Sequence, residues 1–174
     1  MPGRSTTAGR DLGRANDAER CREAALALLE RTRRTRAELG RRLRAKGYAE
    51  PVVAEVLERL AGVGLLDDAE YARAFIAGRW GRRAAGWRRL EQELRRRGVP
   101  ADDIDRARAS FVEEHGGADE VQLARRVVAQ AARRYAALEP RARRHRLYAL
   151  LVRRGFDSDT IEQALRDGVE STDA

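Results

Sequence analysis

Cysteine, histidine and aromatic residues are scarce in this sequence, and their scarcity excludes several kinds of site. The 174 residues include one cysteine, two histidines and 5% aromatic residues. A lone Cys21 cannot form an intrachain disulfide, which favours a reducing compartment. His115 and His145 are far apart and have no sequence-local partner for zinc ligation or acid–base chemistry. We therefore expect no enzymatic activity, no bound metal and no cofactor.

Long apolar runs and phosphate-binding loops are also missing. No stretch approaches the ~20 apolar residues that cross a bilayer, and the N-terminal MPGRSTTAGRDLGRAND has no apolar core of a secretory signal. The pattern G-x-x-x-x-G-K-[ST], which cradles phosphates, does not occur. We therefore expect a cytoplasmic protein, monomeric, without a membrane partner or a small-molecule substrate.

Lysine is almost absent, whereas arginine is abundant. Lys46 is the only lysine among 36 basic residues, and 28 acidic residues leave a net charge of +8. A basic balance indicates a polyanion or an acidic protein surface as partner, and the planar guanidinium suits phosphate and carboxylate alike. A codon bias toward alanine and arginine would give the same enrichment, so composition leaves the partner open.

One short phrase occurs three times. It reads LRAKGY at 43–48, LRRRGV at 94–99 and LVRRGF at 151–156. The leucine that begins each copy and one four residues before it share a helix face, and the glycine four residues after can take the left-handed conformation that ends a helix. Gly47, Gly98 and Gly155 are thus predicted helix ends. The apolar pattern further along is broken only by Arg108.

A helical segment precedes each copy of the phrase, and another follows it. No segment shows the sustained alternation of a strand. The sequence predicts an all-α fold of three tandem three-helix repeats, helix-turn-helix-like units that stack into an elongated curved body. The predicted limits are a disordered tail at 1–17, repeats at 18–66, 67–113 and 114–168, the third after a glycine hinge, and a disordered tail at 169–174.

Two pairs of residues have both a functional and a structural interpretation. Asp67 and Asp68 could bind a metal, but aspartates at a helix start more often accept hydrogen bonds from its free N–H groups. Ser158 is the expected cap of the last helix for the same reason. Trp80 and Trp87 could stack on bases, but their helical spacing favours a place in the core.

The second unit carries the most specific pattern, GLLDDAEYARAFIAGR at 64–79 followed by GWRRLEQELRRRGV at 86–99. It resembles the RecX family of recombinase regulators, in which this unit opens with an aliphatic residue, one or two aspartates and an aromatic–alanine helix that ends in arginine. Trp87 stands where the family often has proline. The resemblance extends over about residues 18–168. The residues that match the opening pattern are Leu66, Asp67, Asp68, Tyr71, Ala72 and Arg79.

The resemblance implies a protein that binds the RecA recombinase, notably its nucleoprotein filament, and limits its strand exchange, ATP hydrolysis and coprotease activity. Recombination, DNA repair and the SOS response would be tuned in consequence. It implies a clamp or cap without catalytic residues. Chosen by charge density, the expected contacts are the arginines of the middle unit: Arg79, Arg82, Arg83, Arg88, Arg89, Arg95 and Arg96.

Two alternatives stay open. Paired helices around glycine turns and a net charge of +8 also suit a nonspecific DNA- or RNA-binding module with salt-sensitive phosphate contacts. A helical-repeat adaptor for another acidic partner is the second. A filament regulator should bind filaments better than naked DNA at the same salt, whereas an adaptor should bind neither.

Overall fold

The computed structural model describes residues 17–116 and 119–170, apart from the side chains of residues 81–83 and 167–170. In these residues the chain forms nine α-helices, one 3₁₀ helix at Arg133–Tyr135, and no strand. This confirms the predicted all-α tandem-repeat fold. Unit 1 comprises α1 (Ala18–Arg31), α2 (Arg36–Ala45) and α3 (Glu50–Gly62); unit 2 comprises α4 (Asp68–Arg83), α5 (Trp87–Arg96) and α6 (Ala101–Glu114); unit 3 comprises α7 (Glu120–Ala132), α8 (Pro140–Arg154) and α9 (Ser158–Glu170).

The tails predicted at 1–17 and 169–174 fall mostly outside the described part of the chain, which leaves out residues 1–16 and 171–174. At the other boundary, α9 continues to Glu170. The first of the two glycines in the predicted hinge, Gly116, has a φ of +63°, and the second, Gly117, is not described.

The first helix of each unit begins in the same way. Asp17, Asp67 and Asp119 precede α1, α4 and α7, and each carboxylate accepts the backbone N–H of the residue three positions on, at 3.0, 2.9 and 3.0 Å. These caps satisfy N–H groups that a helix start leaves without a partner. The last helix is capped by Asp157 instead of the predicted Ser158, because Asp157 Oδ1 accepts the backbone N–H three residues on at 2.8 Å.

The three repeated phrases end their helices as predicted. Gly47, Gly98 and Gly155 have φ values of +91°, +83° and +85°. The backbone N–H after each glycine donates to the carbonyl of the leucine five residues earlier, at 3.3, 3.1 and 3.2 Å. This pattern satisfies a terminal carbonyl and turns the following side chain onto the helix. The side chains buried in this way are Tyr48, Val99 and Phe156.

The buried side chains form two clusters, one within unit 1 and one shared by units 2 and 3. Trp80 and Trp87 are 8% and 7% exposed, and their ring centroids are 4.2 Å apart. Both rings meet Phe111 edge-on, at 5.8 and 5.9 Å. The prediction that the tryptophans belong to the core is confirmed. Arg108 interrupts the apolar pattern because its guanidinium lies 4.8 Å from the Trp87 ring centroid.

Successive units are connected by a joint. At each joint, the start of the middle helix of one unit packs against the glycine turn that ends the middle helix of the following unit. Between units 1 and 2, Thr35 Oγ1 donates to the carbonyl of Arg97 at 2.7 Å. The backbone N–H of Arg36 donates to Asp68 Oδ1 at 2.8 Å. A Cβ atom on Gly98 would lie 2.3 Å from a side-chain atom of α2. Glycine is thus needed there for the close approach as well as for its positive φ.

The joint between units 2 and 3 repeats this arrangement. The backbone N–H of Gly86 donates to the carbonyl of Arg154 at 2.8 Å. The backbone N–H of Trp87 donates to Glu120 Oε1 at 2.8 Å. A Cβ atom on Gly155 would lie 2.4 Å from a side-chain atom of α5. Asp68 and Glu120 are therefore equivalent. Each is the first residue of the first helix of its unit, and each caps the middle helix of the preceding unit.

In the described chain, the first and last units lack the residues that form these joint hydrogen bonds at their outer ends. Helix α1 begins with Ala18, where α4 and α7 begin with Asp68 and Glu120. Helix α8 begins with Pro140, which has no N–H to donate. A Cβ atom on Gly47 would meet nothing within 4 Å, because no unit of the described chain packs against that turn.

Candidate partner-binding surface

The few reactive side chains have structural surroundings. The His115 ring stacks on Phe111 at 4.0 Å, and its Nδ1 lies 2.9 Å from the Phe111 carbonyl oxygen. Cys21 is fully buried, and burial raises the pKa of its thiol. Within residues 17–116 and 119–170, no group of three or more His, Cys, Asp or Glu side chains is placed to hold a metal ion. Over the same residues, no helix is both long and apolar enough to cross a membrane.

Arg79 is held against its own unit. Its guanidinium carbon lies 3.7 Å from the Phe75 ring centroid. Its Nε is 3.5 Å from Glu93 Oε2, an ion pair without a hydrogen bond. Only 26% of the side chain is exposed, less than expected for a contact arginine, because Phe75 and Glu93 cover it. The side chains of Arg82 and Arg83 lie outside the described residues.

The other four predicted contact arginines lie exposed on α5, and they differ in their partners. Arg95 pairs with Glu91 at 2.6 Å. Arg89 pairs with Glu93 at 3.1 Å and also donates to the backbone carbonyl of Arg153 at 3.2 Å. Among the described residues, no carboxylate forms an ion pair with Arg88 or Arg96. These two guanidinium groups are thus the exposed ones on α5 without a carboxylate partner among the described residues.

Arg88 and Arg96 face a cleft of about 630 Å³ between units 2 and 3, hereafter the unit 2–3 cleft. Four arginines and one glutamate line it: Arg88, Arg89, Arg96, Arg153 and Glu93. Its floor is formed by the buried side chains of Phe156 and Ile161. Val152 also lines it and is 50% exposed. The cleft therefore combines an excess of positive charge with an accessible apolar side chain.

A related cleft of about 530 Å³, the unit 1–2 cleft, lies at the first joint. Three of its five arginines are engaged. Arg33 is 3.5 Å from Glu70, and Arg34 Nε donates to a backbone carbonyl at 3.3 Å. Arg97 pairs with a glutamate of α2 at 2.8 Å. This cleft has positive charge, and the exposed aliphatic group in its lining is the methyl of Ala45, which is smaller than the Val152 side chain. The five arginines that line this cleft are Arg33, Arg34, Arg41, Arg42 and Arg97.

The two carboxyl groups at the joints are electrostatically perturbed. Burial raises the pKa of Asp68, and the hydrogen bond from the Arg36 backbone works against this shift. Burial likewise raises the pKa of Glu120, against the hydrogen bond from the Trp87 backbone. In each case one backbone N–H does not offset the loss of hydration, so the ionised form is disfavoured at the joint.

Comparison with known proteins places this arrangement in a family. Models of the first, second and third three-helix domains of RecX match residues 21–60, 67–107 and 118–165. The chain belongs to the RecX family. The regulatory protein RecX of Trichlorobacter lovleyi is 38% identical over 154 residues, which are 86% of this chain and 96% of that protein. RecX of Mycobacterium sp. strain KMS is 38% identical over 144 residues, 81% of this chain and 77% of that protein.

Solved RecX structures share the fold. The crystal structure of RecX from Lactobacillus salivarius superimposes with a TM-score of 0.78 at 21% identity, covering 88% of this chain and 97% of that one. A second crystal structure of a regulatory protein RecX gives 0.77 at 23% identity, covering 95% and 81%. At this identity the agreement concerns the fold alone.

The residues that carried the resemblance to RecX have distinct structural roles. Leu66 is buried in the core of unit 1. Asp67 caps its own helix, whereas Asp68 caps α2 of the preceding unit, which the sequence pattern did not reveal. Tyr71 is half-buried and lines the unit 1–2 cleft. The role of Arg153 was also missed, because the repeat pattern does not show that the end of α8 faces α5.

Proposed function

We propose that this member of the RecX family binds the RecA recombinase in its nucleoprotein filament and lowers its ATPase, strand-exchange and coprotease activity. Through this effect it would tune recombination, DNA repair and the SOS response. The observation that carries the proposal is membership of a family of regulatory proteins, matched in all three of its domains. The exposed arginines of α5 support it, because they offer charge to an acidic or phosphate-bearing surface.

The protein acts as a clamp or cap without catalytic residues of its own. A clamp alters a filament only when it binds one filament state more tightly than another. The joints suit this role, because each is held by at least three hydrogen bonds and by a close approach that admits only glycine. Such a body keeps the arginines of neighbouring units at fixed separations, so that several can engage together. We propose contacts at Arg82, Arg83, Arg88, Arg89, Arg95 and Arg96.

The test is DNA-dependent ATP hydrolysis by the host recombinase on single-stranded DNA, titrated with the protein. We expect suppression well below one molecule per recombinase protomer, because a clamp or cap acts on many protomers of one filament. Suppression only after the DNA is saturated would contradict this and indicate competition for phosphates. In that case affinity for naked single strands should fall with salt, with a log–log slope of about 0.7 per phosphate contact. No effect at any ratio would leave the adaptor hypothesis.

A further inference from the structure

The unit 2–3 cleft has a chemical character that the basic composition does not by itself explain. Three of its arginines, Arg88, Arg96 and Arg153, have no ion-pair partner among the described residues. Arg88 has only a longer-range attraction to Asp157 and Glu120. Elsewhere in the described chain some exposed arginines pair with a nearby acid, as Arg22, Arg59 and Arg106 do, and in the unit 1–2 cleft two of five arginines, Arg41 and Arg42, are left without a pair. The cleft thus concentrates unneutralised charge.

An apolar side chain stands among these charges. Val152 directly follows the buried Leu151 of α8 and is 50% exposed. Tyr148, one turn earlier, is half-buried and lines the same cleft. Phe156 and Ile161 close the floor beneath. A partner that fills the cleft therefore gains from burying apolar surface as well as from pairing with guanidinium groups.

We propose that the unit 2–3 cleft binds an acidic protein segment that carries an apolar side chain. The carboxylates would pair with Arg88, Arg96 and Arg153, and the apolar side chain would pack on Val152 and Tyr148. A nucleic-acid backbone matches the charge but gains little from Val152, so the apolar wall favours a protein segment. The inference rests on the proposed function, in that the segment belongs to the recombinase.

The unit 1–2 cleft serves as an internal comparison. It has five arginines against four, but Arg33, Arg34 and Arg97 are already engaged. Its exposed aliphatic group is only the methyl of Ala45, where the unit 2–3 cleft has Val152. If the number of arginines alone selected the site, the unit 1–2 cleft would serve at least as well. The proposed chemistry distinguishes them and assigns the segment to the second.

The experiment compares two triple variants with the wild type in the full chain. The cleft variant combines Arg88→Gln, Arg96→Gln and Arg153→Gln; the control combines Arg22→Gln, Arg59→Gln and Arg106→Gln. Each variant loses three positive charges, so both carry +5 instead of +8. Binding is measured at one ionic strength to host RecA filaments on a labelled oligonucleotide with a non-hydrolysable ATP analogue, and separately to the naked oligonucleotide. Circular dichroism and thermal unfolding verify that each variant folds.

We expect the cleft variant to bind filaments about 30-fold more weakly, equivalent to about 2 kcal/mol, and the control to change by less than about threefold. The single variant Val152→Thr, which exchanges a methyl for a hydroxyl, should weaken filament binding about fourfold and leave binding to naked DNA unchanged. Equal effects of the two triple variants would overturn the cleft assignment. A Val152→Thr variant without effect, together with equal losses on filament and naked DNA, would show that the cleft binds phosphates and would also overturn it.

A wild-type protein that does not bind filaments would instead refute the proposed function, so the two failures are distinguishable. Cross-linking identifies the segment directly. Gln92 is exposed and lines the cleft, and Gln92→p-benzoylphenylalanine places a photoreactive ring there. We expect it to capture a recombinase peptide of net negative charge with an adjacent apolar residue. Capture of a net-positive peptide, or of the oligonucleotide alone, would overturn the inference.

Discussion

Replacing Gly98 by alanine tests whether the glycine turn is a joint between units or only a helix end. Gly47 provides the matched control, since both residues have positive φ, +83° and +91°. Gly47→Ala should cost about 1–2 kcal/mol, the penalty of a side chain in left-handed backbone. Gly98→Ala should cost this and about 1–3 kcal/mol more, because its Cβ would lie 2.3 Å from the Cβ of Ala37.

The assay is reversible urea denaturation followed by far-UV circular dichroism, with thermal unfolding as a second readout. For a chain of this size, each kcal/mol corresponds to about 2–4 °C in Tm. A further variant sharpens the test. Ala37→Gly removes the clashing methyl, so in the Gly98→Ala background it should recover part of the loss, despite its own cost of about 1 kcal/mol within a helix. Equal destabilisation by Gly47→Ala and Gly98→Ala, with no recovery of stability by Ala37→Gly, would refute the conclusion that the Gly98 turn is a joint between units.

Two further predictions concern charged residues. Burial raises the pKa of Asp68 in the folded protein. The contribution of Asp68 to the free energy of unfolding is therefore fully present only below the ordinary pKa of 3.8, and it is lost as the pH rises through the pKa of the folded state. Asp68→Asn keeps an oxygen acceptor for the Arg36 N–H, so its stability relative to the wild type should rise between pH 4 and pH 7. Asp68→Ala should lose about 1–3 kcal/mol, because it leaves that N–H without an acceptor. Urea denaturation at both pH values measures these differences, and a pH-independent difference between Asp68→Asn and the wild type would contradict the prediction. Arg79→Gln should lower the free energy of unfolding by about 1–2 kcal/mol, because the guanidinium no longer stacks on Phe75. The affinity of the folded variant for filaments should be unchanged. Weaker filament binding at unchanged stability would instead identify Arg79 as a contact residue.

The sequence predicts the helices and their ends well because those depend on local chemistry. Repeated leucine spacing, aspartates before α1, α4 and α7, and a glycine after each middle helix act within one or two turns of the chain. The three-unit organisation follows from the same repetition. Trp80 and Trp87 were correctly assigned to the core because helical spacing governs which side chains face inward.

Contacts between units could not be predicted in the same way. Asp68 looks like a second capping residue of its own helix, and only tertiary packing brings it to the backbone of Arg36. The shared core of units 2 and 3 has no local signal. Charge density could not separate Arg79, which is stacked on a ring, from Arg88, which is free to bind, because exposure depends on neighbours distant in sequence.

The absence of joint chemistry at both ends bears on how the protein behaves at high concentration. A head-to-tail interface that does not close on itself generates open-ended polymers whenever both of its halves remain available. Here a second copy approaching the Gly47 turn would offer Pro140, which cannot donate, to Ala18, which cannot accept. Such a contact would lack the capping hydrogen bond of the internal joints, so we expect head-to-tail growth by this route to be disfavoured.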